Sequence, residues 1–183
     1  LYAKYRASDP TSLDAEQRQA HKNALRKFVL GGAELVGADR ERFATIQERQ
    51  AELGQKFSEN ALDATDAFAY YAQASELDGV PDDVQQAALT AAQAEGKEGY
   101  KLTLKMPCYL PVMQFARSSA LREKLYRAYV TRASDQADPQ TRKFDNSALI
   151  SEMLALRLEE AKLLGYRNFG ELSVVPKRAE SPE

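Results

Sequence analysis

The sequence predicts a mainly α-helical fold with one small two-stranded β ribbon, on three observations. Apolar residues recur at helical spacing: Phe43, Ile46, Leu53 and Phe57 are separated by three, seven and four positions. Arg40, Glu41, Arg42, Glu48, Arg49, Glu52, Lys56 and Glu59 between and around them form a wet face. In two short stretches the period changes to two, the signature of a strand with one apolar side. Start and stop signals bracket the helical stretches.

Taken in order, the first helix begins near Asp14. Asp14 can cap it, and Gln17 three residues on completes a capping box. Leu25, Phe28 and Val29 follow at helical spacing, and Gly31-Gly32 is the stop. The second helix runs from about Asp39 to about Ala61. Phe68, Tyr70 and Ala72 then alternate with smaller residues as a short strand. Pro81 to Glu95 is a helix, with Pro81 in its first turn and Gly96 at its end. Tyr100, Leu102, Leu104 and Met106 alternate with Lys101, Thr103 and Lys105, giving a second strand that Pro107 ends. The two strands pair, in a direction the sequence leaves open. Helices follow over Ser119 to Ala133 and Ser147 to Leu164, the latter capped by Asn146 or Ser147 and stopped by Gly165. Asp135 to Thr141 is the most polar connector. Ser181-Pro182-Glu183 reads as the opening of a further helix.

The 183 residues suit one medium domain or two small helical lobes. Hydrophobic residues at 44% and charged residues at 28% argue against long disorder. Lys+Arg of 25 against Asp+Glu of 27 gives a net charge of −2, so nothing suggests a nucleic-acid binder. No run approaches the roughly 18 apolar residues of a membrane span. The amphipathic start, Leu1 to Arg6, lacks the features of a signal peptide. Cys108 is the only cysteine, which excludes an intrachain disulfide and fits a reducing, cytoplasmic setting.

A hydrolytic zinc site takes about three protein ligands and an open water position. His21 is the single histidine, so H-E-x-x-H is absent. His21 precedes Leu25 and Phe28 by one and two turns, the place of an edge-of-core histidine or a pH-sensitive contact. Cys108, in Met106-Pro107-Cys108-Tyr109, reads as structural, because a thiolate nucleophile needs a nearby base. There is no G-x-S-x-G elbow and no glycine-rich phosphate loop. Asp82/Asp83 and Glu159/Glu160 are read as solvated helix faces. Arg157 sits in an apolar stretch with Glu160 three residues on, which suits first an ion pair on one helix and second the binding of a substrate carboxylate. Tyr100, Tyr109, Tyr126, Tyr129 and Tyr166 suit two roles: packing between helices, or lining a peptide groove.

Ordered along the chain, several segments resemble one family. They include Asn23 to Phe28, Phe57 to Thr65, Tyr109 to Met113, Leu121 to Asp135, Asp145-Asn146-Ser147, Leu156-Arg157 and Ala161 to Tyr166. Together they are similar to the thimet-oligopeptidase-like M3 metallopeptidases, and within them most to the bacterial oligopeptidase A branch. The resemblance implies a multi-helix piece of the N-terminal lobe of such a zinc peptidase. In the family, zinc ligands from H-E-x-x-H and a further Glu lie in the C-terminal half, and short peptides are cut in a channel between two lobes. Residues 1–183 are thus expected to be a single helical fragment, cut at both ends, forming one wall of that channel. No catalytic or metal residue of the family maps onto this chain, and its substrate contacts stay open. Zinc is expected in the intact parent and none in this stretch. The expected partners are short peptides and the remaining catalytic lobe, with no nucleic acid and no membrane. The alternative is a stand-alone helical peptide-binding or scaffold protein without catalysis.

Overall fold

The computed structural model describes residues 1–177, so the helix expected to open at Ser181-Pro182-Glu183 lies outside the described residues. The described residues form eight α-helices and one two-stranded sheet, which makes the fold mainly α as expected. The helices are α1 (Tyr2–Ala7), α2 (Ala15–Leu30), α3 (Gly37–Ala67), α4 (Asp82–Ala94), α5 (Met106–Phe115), α6 (Ser119–Thr131), α7 (Ser147–Leu163) and α8 (Phe169–Val174). The strands are β1 (Tyr70–Ala72) and β2 (Tyr100–Leu102). By contacts the chain separates into two compact units. One holds Leu1–Leu53 and the residues from Ser151 onward, and the other holds Gly54–Ile150.

In the first unit, α2 starts with the capping box its sequence specifies. The Gln17 amide donates to Asp14 Oδ1 at 2.8 Å, and the Asp14 amide donates to Gln17 Oε1 at 3.2 Å. The helix ends at Leu30. The left-handed residue is Gly32 (φ +79°), not Gly31, and a Cβ there would meet the Phe43 ring at 2.9 Å. Glycine is therefore required twice over, by conformation and by space. Phe43, Ile46 and Leu53 on α3 are buried, as are Leu156, Ala161 and Leu172. The short α1 was not expected from sequence. Tyr2 and Tyr5 on it each lie 5.9 Å from the Phe28 ring.

Over this unit α3 and α7 are joined by polar side chains. Arg42 Nε donates to Glu159 Oε1 at 2.6 Å, and Arg49 Nε donates to Glu152 Oε1 at 2.6 Å. Both pairs are bidentate, through Arg42 Nη2 at 2.7 Å and Arg49 Nη2 at 3.0 Å. Gln47 and Gln50 donate to the two oxygens of Glu160 at 2.9 and 2.7 Å. Partner numbers rise on one helix as they fall on the other, so the two helices run antiparallel here.

In the second unit the ribbon is antiparallel, with Tyr70 opposite Leu102 and Ala72 opposite Tyr100. Gly99 (φ +87°) leads into β2, where a Cβ would approach the Ala72 carbonyl oxygen to 2.7 Å. The core gathers Ala72, Leu77, Val80, Ala88, Leu102, Leu104, Tyr109, Val112, Ala116, Leu121 and Leu125. It thus joins the ribbon to α4, α5 and α6. Leu121 and Leu125 of α6 are buried, and the start of that helix is capped by Ser118 Oγ accepting from the Leu121 amide at 3.2 Å.

Several boundaries differ from the sequence reading. The second strand stops at Leu102, although Leu104 is still buried, and Pro107 opens a helix rather than ending a strand. The amides of Cys108 and Tyr109 bond back to the Lys105 carbonyl at 2.9 and 2.8 Å. Proline lacks the N–H of a strand ladder, but the first helical turn leaves that donor unused. The same residue suits either role, so its position did not decide between them. Helix α3 continues to Ala67, because nothing between Ala61 and Ala67 breaks it. Pro81 occupies the position just before α4 instead of its first turn. The short α8, begun by Asn168 accepting from the Glu171 amide at 3.0 Å, was also not expected.

Candidate functional site

The second unit carries a groove of about 630 Å3 beside the ribbon and α6. Phe68, Tyr70, Ala120, Lys124, Arg127 and Ala128 are among its lining residues. Ribbon geometry brings Tyr70 to it, and α6 brings Ala120, Lys124, Arg127 and Ala128 at helical spacing. Lys124 Nζ stands 3.8 Å from the centre of the Tyr70 ring, a cation held by the ring's negative face. Tyr70 is itself fixed by donating to Glu76 Oε1 at 2.8 Å. Arg127 pairs with Glu123 on the same helix at 2.8 Å. The Glu123 and Asp138 carboxylates line the groove as well, so it offers apolar walls, one aromatic-anchored ammonium, one guanidinium already paired with Glu123, and a second carboxylate. Such a surface can hold an extended chain that carries both apolar and charged side chains.

The five tyrosines singled out by sequence separate. Tyr109 on α5 and Tyr129 on α6 stack at 4.4 Å with 17° between their planes. The Arg132 guanidinium lies over the Tyr129 ring, 3.8 Å from its centre. Burial is the main reason the Tyr109 phenol is pushed up from its ordinary value, with Tyr129 and Tyr126 adding to it. These two tyrosines thus take the packing role. Tyr126 is 53% exposed, and Tyr100 is half-buried on β2. The Tyr70–Lys124 pair was missed, because the two residues are far apart in sequence and neither spacing nor composition links them.

The other sequence candidates are not brought together. His21 Nε2 lies 2.8 Å from Ser8 Oγ and 2.9 Å from the Tyr5 carbonyl, with the Tyr5 ring stacked on it. Ser8 Oγ also donates to the Tyr5 carbonyl at 2.7 Å, so its proton is already placed. Cys108 Sγ accepts from the Thr103 amide at 3.4 Å, a local structural contact. Asp82 and Asp83 are exposed in the first turn of α4. The expected Arg157–Glu160 pair does not form. The two glutamines of α3 occupy Glu160, and the Arg157 guanidinium lies 5.0 Å from the Phe169 ring centre instead. The Glu159 carboxylate, read from sequence as solvated, is tied to Arg42.

Comparison with known proteins gives this geometry its context. Residues 112–183 match the family model described as peptidase family M3. The chain is 45% identical to oligopeptidase A of Haemophilus influenzae over 91% of its own length and 24% of the relative's. It is 44% identical to oligopeptidase A of Escherichia coli over 100% of its length and 28% of that protein's. It is 40% identical to the probable cytosolic oligopeptidase A of Arabidopsis thaliana, over 93% of its length and 25% of the relative's.

The chain is similar to peptidase family M3 proteins along nearly its whole length. It spans about a quarter of the length of the curated relatives it matches. The M3 match starts within α5 and runs through α6, α7 and α8. One helix face of the groove, α6, therefore lies inside the matched stretch. The described residues do not fit a zinc centre. His21, the single imidazole, is engaged by Ser8 and Tyr5, and no three His, Cys, Asp or Glu side chains among the described residues converge. No described helix is long and apolar enough to cross a membrane.

Proposed function

We propose that this chain is a non-catalytic part of a cytoplasmic zinc oligopeptidase that hydrolyses short peptides. Its role in the whole protein is to form one wall of the space where those peptides bind. The observation that carries this reading is the 44–45% identity to bacterial proteins named oligopeptidase A, sustained along at least nine-tenths of the chain. Zinc is held by residues outside this stretch, since the donor set here does not fit it. The groove beside Tyr70 and Lys124 supports the wall role through its chemistry: apolar sides for a peptide's side chains and the Lys124 ammonium for an acidic group. The remaining catalytic lobe is the partner that completes the site. No step of peptide hydrolysis runs through a residue of this chain.

The test uses a longer M3 protein that contains this stretch. It is stripped with a chelator, reloaded with zinc, and assayed on quenched fluorescent peptides of increasing length. The reading predicts zinc-restored cleavage of short peptides, with Lys124→Met raising KM several-fold for an acidic peptide and leaving kcat within about twofold. Cleavage of intact folded proteins at a comparable rate, or activity unaffected by the chelator, contradicts it.

A further inference from the structure

Helix α7 is built with its polarity inverted. Its acids, Glu152, Glu159 and Glu160, lie on the side that faces α3, with 42% and 41% of the Glu152 and Glu159 side chains still exposed. There the three glutamates bind the arginines and glutamines of α3. The exposed positions are instead Ser147, Ala148, Ile150, Ser151, Leu154, Ala155 and Leu158, with Lys162 at the far end. Ile150, Leu154 and Leu158 are 44%, 59% and 42% exposed, one turn apart from each other. For three turns the outward face of this helix carries no charge. A surface helix of a finished domain has the opposite arrangement, charges outward and aliphatics inward. Single exposed leucines are ordinary, but an uncharged aliphatic stripe along a helix marks a contact surface.

We infer that the outward face of α7 is covered, in the longer M3 protein, by an apolar helix from the three-quarters of the chain that lies beyond this stretch. Three observations favour that occupant. The M3 relatives are about four times as long as the stretch they share with this chain. The M3 match includes the whole of α7, so the face belongs to the part of the sequence that the family model describes. The face offers no charge to select a separate, diffusing partner, whereas a tethered segment needs no steering because the connecting chain sets a high effective concentration. Spacing at i, i+4 and i+8 presents the ridge that another helix packs into its groove. The inference rests on the reading of this chain as part of a longer peptidase.

The experiment places a cysteine at Leu154 (Leu154→Cys) in that longer protein. A second variant carries Val36→Cys, a position 78% exposed, and both carry Cys108→Ser. Maleimide modification of each site is followed by peptide mass spectrometry. The inference predicts that position 154 reacts at least tenfold more slowly than position 36. In parallel, Leu154→Glu with Leu158→Glu is predicted to lower the Tm of the longer protein by more than about 5 °C. Equal labelling rates with an unchanged Tm overturn the inference. A dimer of the 183-residue chain that the two glutamates dissociate, with no effect on the longer protein, also overturns it and assigns the face to a second copy. The two readings fail separately: a longer protein that cleaves peptides but labels freely at 154 sinks only this inference, and one protected at 154 but inert on peptides sinks only the proposed function.

Discussion

Asn60 Nδ2 donates to Asn146 Oδ1 at 2.8 Å, and the two side chains are 7% and 1% exposed. Asn146 in turn donates to the Phe57 carbonyl at 3.1 Å, and its carbonyl accepts from the Ile150 amide at 2.9 Å. One side chain thus ties the start of α7 to a turn of α3 within the second unit. Removing it leaves the buried Asn60 amide without its acceptor, at the cost of the desolvation that the bond had offset, and takes one donor from the Phe57 carbonyl inside α3. Asn146→Leu, close in volume, is predicted to destabilise by about 2 kcal/mol in a urea titration. Adding Asn60→Leu should recover part of that loss. A double variant as costly as the sum of the singles contradicts the pairing.

The arginine–glutamate ladder between α3 and α7 predicts a pH dependence with a definite sign. Hydrogen bonds from Arg49 and Arg42 hold Glu152 and Glu159 below the ordinary value of 4.5. Folding therefore favours their charged forms. That contribution is fully present above about pH 4.5 and is lost as pH falls through the lowered folded values. Thermal midpoints measured from about pH 6 down to about pH 3 should drop for the wild type. They should drop less steeply for Glu152→Gln with Glu159→Gln. These pairs are exposed and screened, so raising the salt concentration should flatten the wild-type curve. Parallel curves for the two proteins contradict the assignment.

Two glycines separate conformational strain from crowding. Gly79 has φ +87°, and a Cβ there would come within 2.4 Å of the Phe115 carbonyl oxygen. Gly96 has φ +63° with nothing within 4 Å. Gly96→Ala is predicted to cost about 1 kcal/mol, the left-handed penalty alone. Gly79→Ala adds a clash with backbone that cannot turn aside, and should exceed about 3 kcal/mol. Equal costs in denaturant titrations contradict the crowding at Gly79.

Much of the fold is legible because local chemistry and tertiary packing agree. The Asp14–Gln17 box, the Phe43–Ile46–Leu53 stripe and the Tyr100–Leu102 alternation each specify one element, and each element forms. Pro107 was ambiguous because a missing N–H suits a strand end and a helix start alike. The apolar face of α7 shows a limit of such reading. Its Leu149, Ile150, Met153, Leu154, Leu158 and Ala161 look like a core-facing set, yet Ile150, Leu154 and Leu158 are exposed. Helical periodicity reports that a face is apolar. It does not report whether the partner lies within the same stretch of chain. The Tyr70–Lys124 contact depends on ribbon and helix packing, which no local spacing encodes.

The most direct test is the metal content and peptidase activity of the purified 183-residue chain, measured together after incubation with zinc and a short fluorogenic peptide. A non-catalytic share of an M3 peptidase predicts zinc far below one per chain and no turnover above buffer. One tightly held zinc per chain, with hydrolysis that a chelator abolishes, contradicts it.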